Sequence, residues 1–207
     1  MPNITLHDND LPGNISFGGV VGIDCEMMGL NLHRDRLCVL QIYDVAADHV
    51  HIVQFKDGRY AAPAVRNFLQ DPERLFIGHM IRLDMGWLLK YLGVMPAHVY
   101  CTRTASRIAR TFTNGHDFKE LVHTLLGKSI SKAETSSDWS APDLTPAQIE
   151  YACNDVIFLH QMKEKLDDAL AREGRDLLFS DIMKTLPARV RMDVSGWWGD
   201  DILSFPF

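Results

Sequence analysis

An apolar stretch with two acids inside it, residues 20–30 (VVGIDCEMMGL), constrains this chain more than any other feature. Asp24 and Glu26 are two residues apart, and side chains at positions i and i+2 of a strand point to the same face. A strand here would place two carboxylates side by side on an apolar ribbon. Buried charge is costly without a partner, and hard divalent cations prefer carboxylate oxygens. The segment therefore predicts half of a metal site, the alternative being a strand end with two solvated acids.

The order of the other elements indicates an α/β domain with a mixed sheet flanked by helices. A block of strands comes first, strands then alternate with helices, and helices alone follow. The strands after the acidic pair have short connections, which predicts an antiparallel meander. In chain order, the expected strands are ITLH, NISFGG, VVGIDCEM, 37–44, 49–55, 75–78 and 99–101.

Helices are expected where apolar residues recur at helical spacing between start and stop residues. Thr145 and Pro146 form an N-cap and first-position proline, and the helix they begin has no breaker until Gly174. Gly93 and Gly127 are each placed to end a helix, and Pro187 to end the last one. In chain order, the expected helices are 63–69, 81–92, 104–112, 118–127, 146–173 and 176–186.

A chain of 207 residues fits a single domain, 1–207, with a core at about 20–186 and a C-terminal tail at 187–207. The last twelve residues, GWWGDDILSFPF, are aromatic and apolar. Such a segment either docks on its own domain or lies in a subunit interface, and we favour the interface of a homo-oligomer. Trp197 and Trp198 are expected to serve packing rather than binding.

Charge and cysteine usage narrow the possible partners and compartment. The net charge of −6 and pI of about 5.8 do not suggest a basic track for long nucleic acid, so any such contact is short and local. The four cysteines form no C-x-x-C pair, which suits a reducing cytoplasm. The sequence shows no secretory signal and no apolar run long enough for a membrane span.

Two further segments supply candidate partners for the first two acids. Tyr151 and Asp155 are four residues apart on a predicted helix, so they share a face with apolar neighbours. That pattern favours a buried polar site, although a Tyr–Asp hydrogen bond that only stabilises the helix is the alternative. Asp84 would lie on the apolar face of the helix at 81–92, and an exposed acid at a helix start is its alternative.

Four carboxylates from three segments can hold two Mg²⁺ or Mn²⁺ ions. Two ions about 3.5–4 Å apart can clamp the attacking and leaving oxygens of a phosphodiester, and a bound water becomes acidic enough to supply hydroxide. Magnesium suits such a set because it keeps several waters and binds a few carboxylates plus substrate phosphate. Tyr151 could hold that water in line. The chemistry predicted is metal-dependent phosphodiester hydrolysis.

These motifs resemble those of the DEDD 3′-5′ exonuclease superfamily. IDCEMMGL resembles the first motif, IGHMIRLD the second and YACNDVIFL the third, and the tyrosine marks the DEDDy branch, as in ribonuclease D. The likeness covers roughly residues 20–170. The chain length, the HRDRLCV run, the SSDW segment and the GW-containing tail most resemble the small bacterial nano-RNase C group. This resemblance implies a ribonuclease H-like fold, hydrolysis of dinucleotides and very short RNA to nucleoside 5′-monophosphates, and a homo-octamer.

Transferred to this sequence, the resemblance implies a role for each matching residue. Asp24, Glu26 and Asp155 would hold the catalytic metal, Asp24 would also reach the second ion, and Asp84 would contact that ion through water. Tyr151 would orient the nucleophilic water. The substrate-binding residues implied are Met27, Met28, Gly29, Leu30 and His79, with Leu30 as a wedge against a base. Trimming of longer RNA 3′ ends or of single-stranded DNA is the alternative activity, and a non-catalytic nucleic-acid-binding module is the alternative class.

Two residues depart from the family pattern. Many members have threonine where this chain has Met28, and asparagine where it has Met80. We expect an altered grip on substrate rather than lost chemistry, since a methionine can pack against a base. Two further features stay open. The charged turn from His33 to Arg36 either contacts phosphate or is solvated, and Trp139 either stacks a base or anchors its loop.

Overall fold

The computed structural model describes residues 2–130 and 137–197, and the expected packing of Trp198 lies outside these ranges. The strands in these ranges are β1 (Asn3–Asp8), β2 (Val20–Met27), β3 (Leu37–Asp44), β4 (His49–Gln54), β5 (Leu75–Gly78) and β6 (His98–Cys101). The α-helices in the same ranges are α1 (Pro63–Leu69), α2 (Arg82–Leu92), α3 (Thr102–Ala109), α4 (Phe118–Leu126), α5 (Pro146–Ile157), α6 (Leu159–Arg172) and α7 (Asp176–Val194).

The strands form one mixed sheet in the order β1-β4-β3-β2-β5-β6. Strands β2, β3 and β4 pair antiparallel, which confirms the predicted meander. Strand β1 pairs parallel with β4 at one edge, and β5 and β6 extend β2 in parallel at the other. The mixed sheet flanked by helices confirms the predicted fold class and puts β2 in the interior of the sheet.

The segment NISFGG was predicted as a strand, and this prediction is wrong. Strand β1 lies at the edge and β2 in the interior of the sheet, so the chain between them must cross two other strands. It does so as irregular backbone that packs on the core through Ile15 and Phe17. The Phe17 ring lies 4.5 Å from that of Phe68 on α1, and Gly18 N–H donates to Asp44 at 3.2 Å.

The predicted start of the long C-terminal helical region is confirmed, but its continuity is not. Thr145 and Gln148 form a reciprocal capping box at the N-terminus of α5, with Pro146 in the first turn. The axis then breaks at Phe158, which separates α5 from α6. The break lies between Val156 and Leu159, which both pack against Gly22 of β2, and hydrophobic periodicity alone carries no signal for that contact.

The prediction that the last helix stops before Pro187 is also wrong. Helix α7 includes this proline and continues to Val194. Proline costs an internal helix several kcal/mol, because it removes a hydrogen bond and crowds the preceding turn. Tertiary contacts of the last two turns offset that cost: Val190 and Asp193 are both 0% exposed. The division into a core ending at 186 and a tail remains a prediction.

Stretches of β3 and β4 are buried on both faces, and the core continues from them under the helices.

Glycines end α2 and α4 in the left-handed conformation, at Gly93 (φ 71°) and Gly127 (φ 65°), as predicted. Among the described residues, no helix combines the length and the apolar character that a membrane crossing requires.

Three histidines share one face of β1 and β4. The His7 and His51 rings are joined by an Nε2–Nδ1 hydrogen bond of 3.0 Å, and the His49 ring stacks on His51 with centroids 4.3 Å apart. Burial lowers the pKa of His51 to about 4, and His49 and His7 add to the shift while Asp44 opposes it. Burial also lowers the pKa of His7.

Acid is therefore expected to weaken this edge of the sheet. A histidine whose pKa is lowered by folding binds fewer protons in the folded state than in the unfolded state. Its contribution to the free energy of unfolding therefore falls as pH drops from about 6.5 towards 4. The free energy of unfolding is expected to fall in both proteins between about pH 7 and pH 4.5. The fall should be about 2 kcal/mol smaller in His51→Gln than in wild type. Urea unfolding at both pH values measures this difference. Parallel pH profiles for the two proteins would contradict it.

Candidate active site

Strand β2 presents the acidic pair at its C-terminal end. Asp24 and Glu26 lie on one face of the strand, opposite Gln41 and Val39 of β3. The register with β3 shifts between Glu26 and Met27, and such a bulge bends a strand and re-aims the side chains next to it. The chain leaves the sheet there and enters the loop that follows.

Helix α5 comes unusually close to β2, because Gly22 has no side chain. A Cβ at this position would stand 2.9 Å from the Val156 carbonyl oxygen and 3.2 Å from a Leu159 methyl. Gly22 precedes Asp24 by two residues on the same face, and Val156 follows Asp155 directly. The glycine thus lets α5 bring its aspartate over the acidic pair, a role that no sequence motif indicated.

The result is a compact cluster of three half-buried acids. Carboxylate oxygens of Asp24, Glu26 and Asp155 all lie within 4.8 Å of one another. Asp84, near the N-terminus of α2, is 3% exposed, which excludes the alternative of a solvated acid at a helix start. It is not part of this closest group, although its charge acts on both Asp24 and Glu26. Tyr151 is hydrogen-bonded to Asp155 through its hydroxyl.

The protonation behaviour of the cluster follows from burial and mutual repulsion. Burial, with Asp84, Asp155 and Glu26 nearby, raises the pKa of Asp24 well above its usual range. Burial and the neighbouring aspartates raise the pKa of Glu26 to about 9. Burial raises the pKa of Asp84 and of Asp155 to about 7, opposed by backbone N–H groups at Asp84 and by Tyr151 at Asp155. Among the described residues, no basic side chain counters these shifts.

Such a donor set fits a hard divalent cation. Several carboxylate oxygens converge, and no lysine or arginine in the described part of the chain neutralises them; like charges this close repel one another unless a proton or a cation intervenes. Mg²⁺ and Ca²⁺ prefer oxygen ligands of this kind, and Mg²⁺ binds through a few carboxylates while keeping waters. Asp24, Glu26 and Asp155 could hold one ion directly, with Asp84 close enough to influence it.

All ten residues singled out from the sequence line one cleft of about 490 Å³. The cluster lies in the same cleft as Met27, Met28, Gly29 and Leu30. Met28 and Leu30 are 56% and 75% exposed, unusual values for apolar side chains beside an acidic site. The cleft is also lined by Leu83, Phe118 and Ser137, which the sequence analysis did not single out.

His79 sits deeper in the cleft, edge-on to Phe118 with ring centroids 5.5 Å apart. Its Nδ1 lies 2.9 Å from Thr102 Oγ1, and the Thr102 hydroxyl donates to the Gly78 carbonyl at 3.2 Å. The hydroxyl proton is therefore used, so Nδ1–H donates and Nε2 is left as an acceptor. Burial, with Arg103 nearby, lowers the pKa of His79 to about 4, which keeps the ring neutral.

Met80 has a backbone conformation that suits asparagine better than methionine. Its φ is 59°, in the left-handed region that asparagine and glycine adopt more easily than methionine. The sequence comparison expected asparagine here in many family members, and the structure gives a backbone reason for that preference. Strain of this kind is commonly retained at functional sites.

Met80→Asn is accordingly expected to stabilise the protein, by up to about 1 kcal/mol, because it relieves a left-handed methionine. Urea unfolding in the absence of metal measures the gain. Met28→Asn is the matched control, since Met28 is an exposed methionine of the same cleft without a positive φ. A loss of stability in Met80→Asn would contradict the expectation.

Two open sequence features now have positions. Trp139 is 3% exposed and its ring centroid lies 6.0 Å from that of Tyr151, so it anchors its loop against α5 rather than standing open for a base. Arg34 pairs with Asp35 at 2.6 Å, and Arg36 donates to the carbonyls of Phe55 and Ser140. The charged side chains of this turn therefore form most of their hydrogen bonds with other groups of the protein.

Comparison with known proteins accounts for the cleft. A family model described as 3′-5′ exonuclease matches residues 10–171 of this chain, a span that includes all four acids and the tyrosine. The chain belongs to the 3′-5′ exonuclease family. Ribonuclease D of Granulibacter bethesdensis is 34% identical over 180 residues, which cover 86% of this chain and 45% of that protein. The exonuclease thus spans about half the length of this curated relative.

Solved structures extend the likeness over the whole chain. NrnC of Brucella melitensis bound to pGG superposes with a TM-score of 0.94 at 40% identity, and each chain covers 100% of the other. The same protein with bound Mg²⁺ superposes with a TM-score of 0.93, covering 99% of this chain and 100% of that one. The exonuclease is therefore a nuclease hydrolase of the ribonuclease D and NrnC type with a ribonuclease H-like fold.

Proposed function

We propose that this exonuclease hydrolyses dinucleotides and very short RNA from the 3′ end to nucleoside 5′-monophosphates, using two Mg²⁺ or Mn²⁺ ions. The observation that carries the proposal is the convergence of three acids within 4.8 Å in a cleft that also presents an exposed Leu30. The likeness to Brucella NrnC bound to pGG supports a short substrate.

The four acids are the proposed metal ligands. Asp24, Glu26 and Asp155 would hold the catalytic ion, and Asp24 with Asp84 the second, Asp84 through water. The ions supply a Lewis acid for the phosphoryl oxygens and lower the pKa of a bound water. Because the acids have raised pKa values, they must release protons as they become ligands, so metal binding is expected to tighten as pH rises.

Tyr151 is proposed to orient the attacking water. Its hydroxyl proton is directed to Asp155, and a phenol oxygen can also accept a hydrogen bond, here from the attacking water. The water oxygen forms the new P–O bond, and the bond to the 3′ oxygen of the preceding nucleotide breaks. That oxygen leaves as a hydroxyl after taking a proton, and the released nucleotide carries a 5′-phosphate.

The cleft rim is proposed to select substrate length and terminus. Leu30 would pack against a base as a wedge, with Met27, Met28 and Gly29 beside it. His79 Nε2 is an acceptor, so a sugar hydroxyl is the donor that it would recognise. Trimming of longer RNA 3′ ends, or of single-stranded DNA, is the alternative, favoured by the likeness to ribonuclease D.

One product profile tests the proposal. Purified protein is incubated with Mg²⁺ or Mn²⁺ and 5′-labelled RNA of two, three, seven and twenty nucleotides, with a DNA dinucleotide in parallel. We expect the highest kcat/KM on the RNA dinucleotide and no turnover in EDTA. Turnover confined to the twenty-mer would overturn the dinucleotide proposal and support the alternative. Binding without cleavage of any substrate would support a non-catalytic module.

We also propose that the exonuclease works in the cytoplasm as a homo-oligomer, as an octamer in the group that it resembles. Leu177 and Leu178, at the start of α7, are 77% and 54% exposed, and Trp197, just beyond its end, is 52% exposed, which supports apolar contacts with other copies at both ends of this helix. The four cysteines are free and buried, as suits a reducing compartment. Light scattering after size exclusion tests the assembly, and a mass equal to one chain would refute it.

A further inference from the structure

The loop at residues 28–36, named here the wedge loop, holds an apolar side chain in water. Leu30 is 75% exposed at the cleft, whereas Leu32 in the same loop is 3% exposed. A flexible loop would be free to turn such a leucine away from solvent. Leu30 keeps its place only if the backbone on both sides of it is fixed.

One carboxylate touches both sides of Leu30. Asp35 Oδ2 accepts the N–H of Asn31, the next residue, at 2.9 Å, and Asp35 N–H donates to the Asn31 carbonyl at 2.8 Å. On the other side, a Cβ at Gly29 would stand 2.4 Å from the same Oδ2. Asp35 is 7% exposed, so this contact lies inside the loop and not on its surface.

The far side of the wedge loop is fastened to α2, the helix that carries Asp84. The Tyr91 hydroxyl donates to the Asp35 carbonyl at 2.7 Å, and Lys90 Nζ donates to the Leu32 carbonyl. Leu32 also packs against the backbone at Gly86, where an added Cβ would lie 3.7 Å from its methyl group. Asp35 therefore links the exposed leucine to a rigid element of the site.

We propose that Asp35 is a positioning residue that presets Leu30 for the substrate base, so that binding spends little free energy on ordering the loop. The proposal rests on the proposed function, in which Leu30 is the wedge. It assigns a role to one member of the charged turn that differs from phosphate contact, because the Asp35 carboxylate faces Gly29 and Asn31 and also pairs with Arg34 at 2.6 Å. Preorganised contacts of this kind act chiefly on affinity.

A double-mutant cycle tests the proposal on the RNA dinucleotide with Mg²⁺. Asp35→Ala and Leu30→Ala are each expected to raise KM about tenfold with kcat within about twofold, because a ground-state contact is lost. The double variant should be no worse than Leu30→Ala, since Asp35 acts through Leu30. Asp35→Asn keeps an oxygen acceptor for Asn31 N–H and should recover most of the affinity.

Two further variants keep the test decisive. Gly29→Ala displaces the Asp35 carboxylate without removing it, so it should reproduce the KM increase even if Asp35→Ala fails to fold. Glu73→Ala, which removes an exposed acid in the turn before β5, should leave both constants unchanged. Circular dichroism melting confirms that each variant is folded before its kinetics are compared.

The outcomes separate this inference from the proposed function. Wild type that cleaves only the twenty-mer would refute the proposed function, and the same cycle measured on the twenty-mer would still test Asp35. Additive effects of Asp35→Ala and Leu30→Ala would overturn the inference, because Asp35 would then act independently of Leu30. A fall in kcat with KM unchanged, shared by Asp35→Ala and Gly29→Ala, would overturn it as well.

Discussion

Asp24→Asn is expected to lower the rate of dinucleotide hydrolysis by about 10³-fold while leaving the metal-free fold at least as stable as wild type. Metal stabilisation of the transition state is worth several kcal/mol, and each 1.36 kcal/mol is about a tenfold change in rate. Asp24 is the proposed ligand shared by both ions, so no other acid of the cluster replaces it. Single-turnover hydrolysis at saturating Mg²⁺ measures the loss.

The stability half of this prediction comes from the same cluster. Folding raises the pKa of Asp24, so the folded state holds protons that the unfolded state has released. Stability of the metal-free protein therefore falls as pH rises above about 4, and a neutral asparagine removes part of that penalty. We expect a gain in the free energy of unfolding near pH 8 in EDTA, with a smaller Mg²⁺-dependent increase in Tm than wild type shows.

Asp44→Asn is the matched control from the same sheet. Asp44 is 2% exposed, but it accepts N–H groups of Gly18 at 3.2 Å and Ala46 at 3.0 Å, so its charge is hydrogen-bonded and lies outside the acidic cluster. This variant should lose stability and keep its activity, the reverse of Asp24→Asn. Activity of Asp24→Asn within about tenfold of wild type would remove Asp24 from the proposed catalytic set.

Local spacing in the sequence predicted the two residue pairs from which most of the site is built. The two-residue separation of Asp24 and Glu26 and the four-residue separation of Tyr151 and Asp155 each depend on one regular element. The structure places these four residues in one cleft, with Asp84 from a third element. Periodicity predicts such pairs because strand and helix geometry fix them without reference to the rest of the fold.

Features that depend on contacts between distant segments could not be predicted in this way. The closeness of α5 to β2 depends on the missing side chain of Gly22, 134 residues before Val156. The wedge loop depends on Asp35 meeting Gly29, which requires a tight turn without a familiar signature. The irregular path of residues 9–19 follows from the strand order, and no local pattern specifies which strand lies at an edge.

Pro187 shows how tertiary contact overrides a strong local signal. The proline predicted a helix end, yet α7 runs on for seven residues to Val194. The added turns carry Asp193, whose Oδ2 and Oδ1 accept Nε and Nη2 of Arg82, both at 2.7 Å. Arg189 adds a third contact to Asp193 at 3.2 Å. The helix therefore continues because its last turns hold the N-terminus of α2, two residues before Asp84.

Asp193→Ala is accordingly expected to lower the free energy of unfolding by about 3 kcal/mol. Asp193 is 0% exposed, and removing one member of a buried ion pair takes away a contact that offsets the cost of burying the opposite charge. The side chains of Arg82 and Arg189 are 37% and 21% exposed, so water compensates part of the loss, which sets the estimate at the low end of the usual 3–5 kcal/mol. Urea unfolding followed by circular dichroism measures it.

The control for Asp193→Ala is Asp181→Ala on the same helix. Asp181 pairs with Lys184 at 2.8 Å, but both side chains are 72% exposed, so its loss should cost less than about 1 kcal/mol. Asp193→Ala should also reduce Mg²⁺-dependent activity in the fraction that stays folded, because Arg82 begins the helix that carries Asp84. Equal stabilities of the two variants would contradict this prediction. They would show that the packing of Val190, without the Asp193 ion pair, is enough for α7 to continue beyond Pro187.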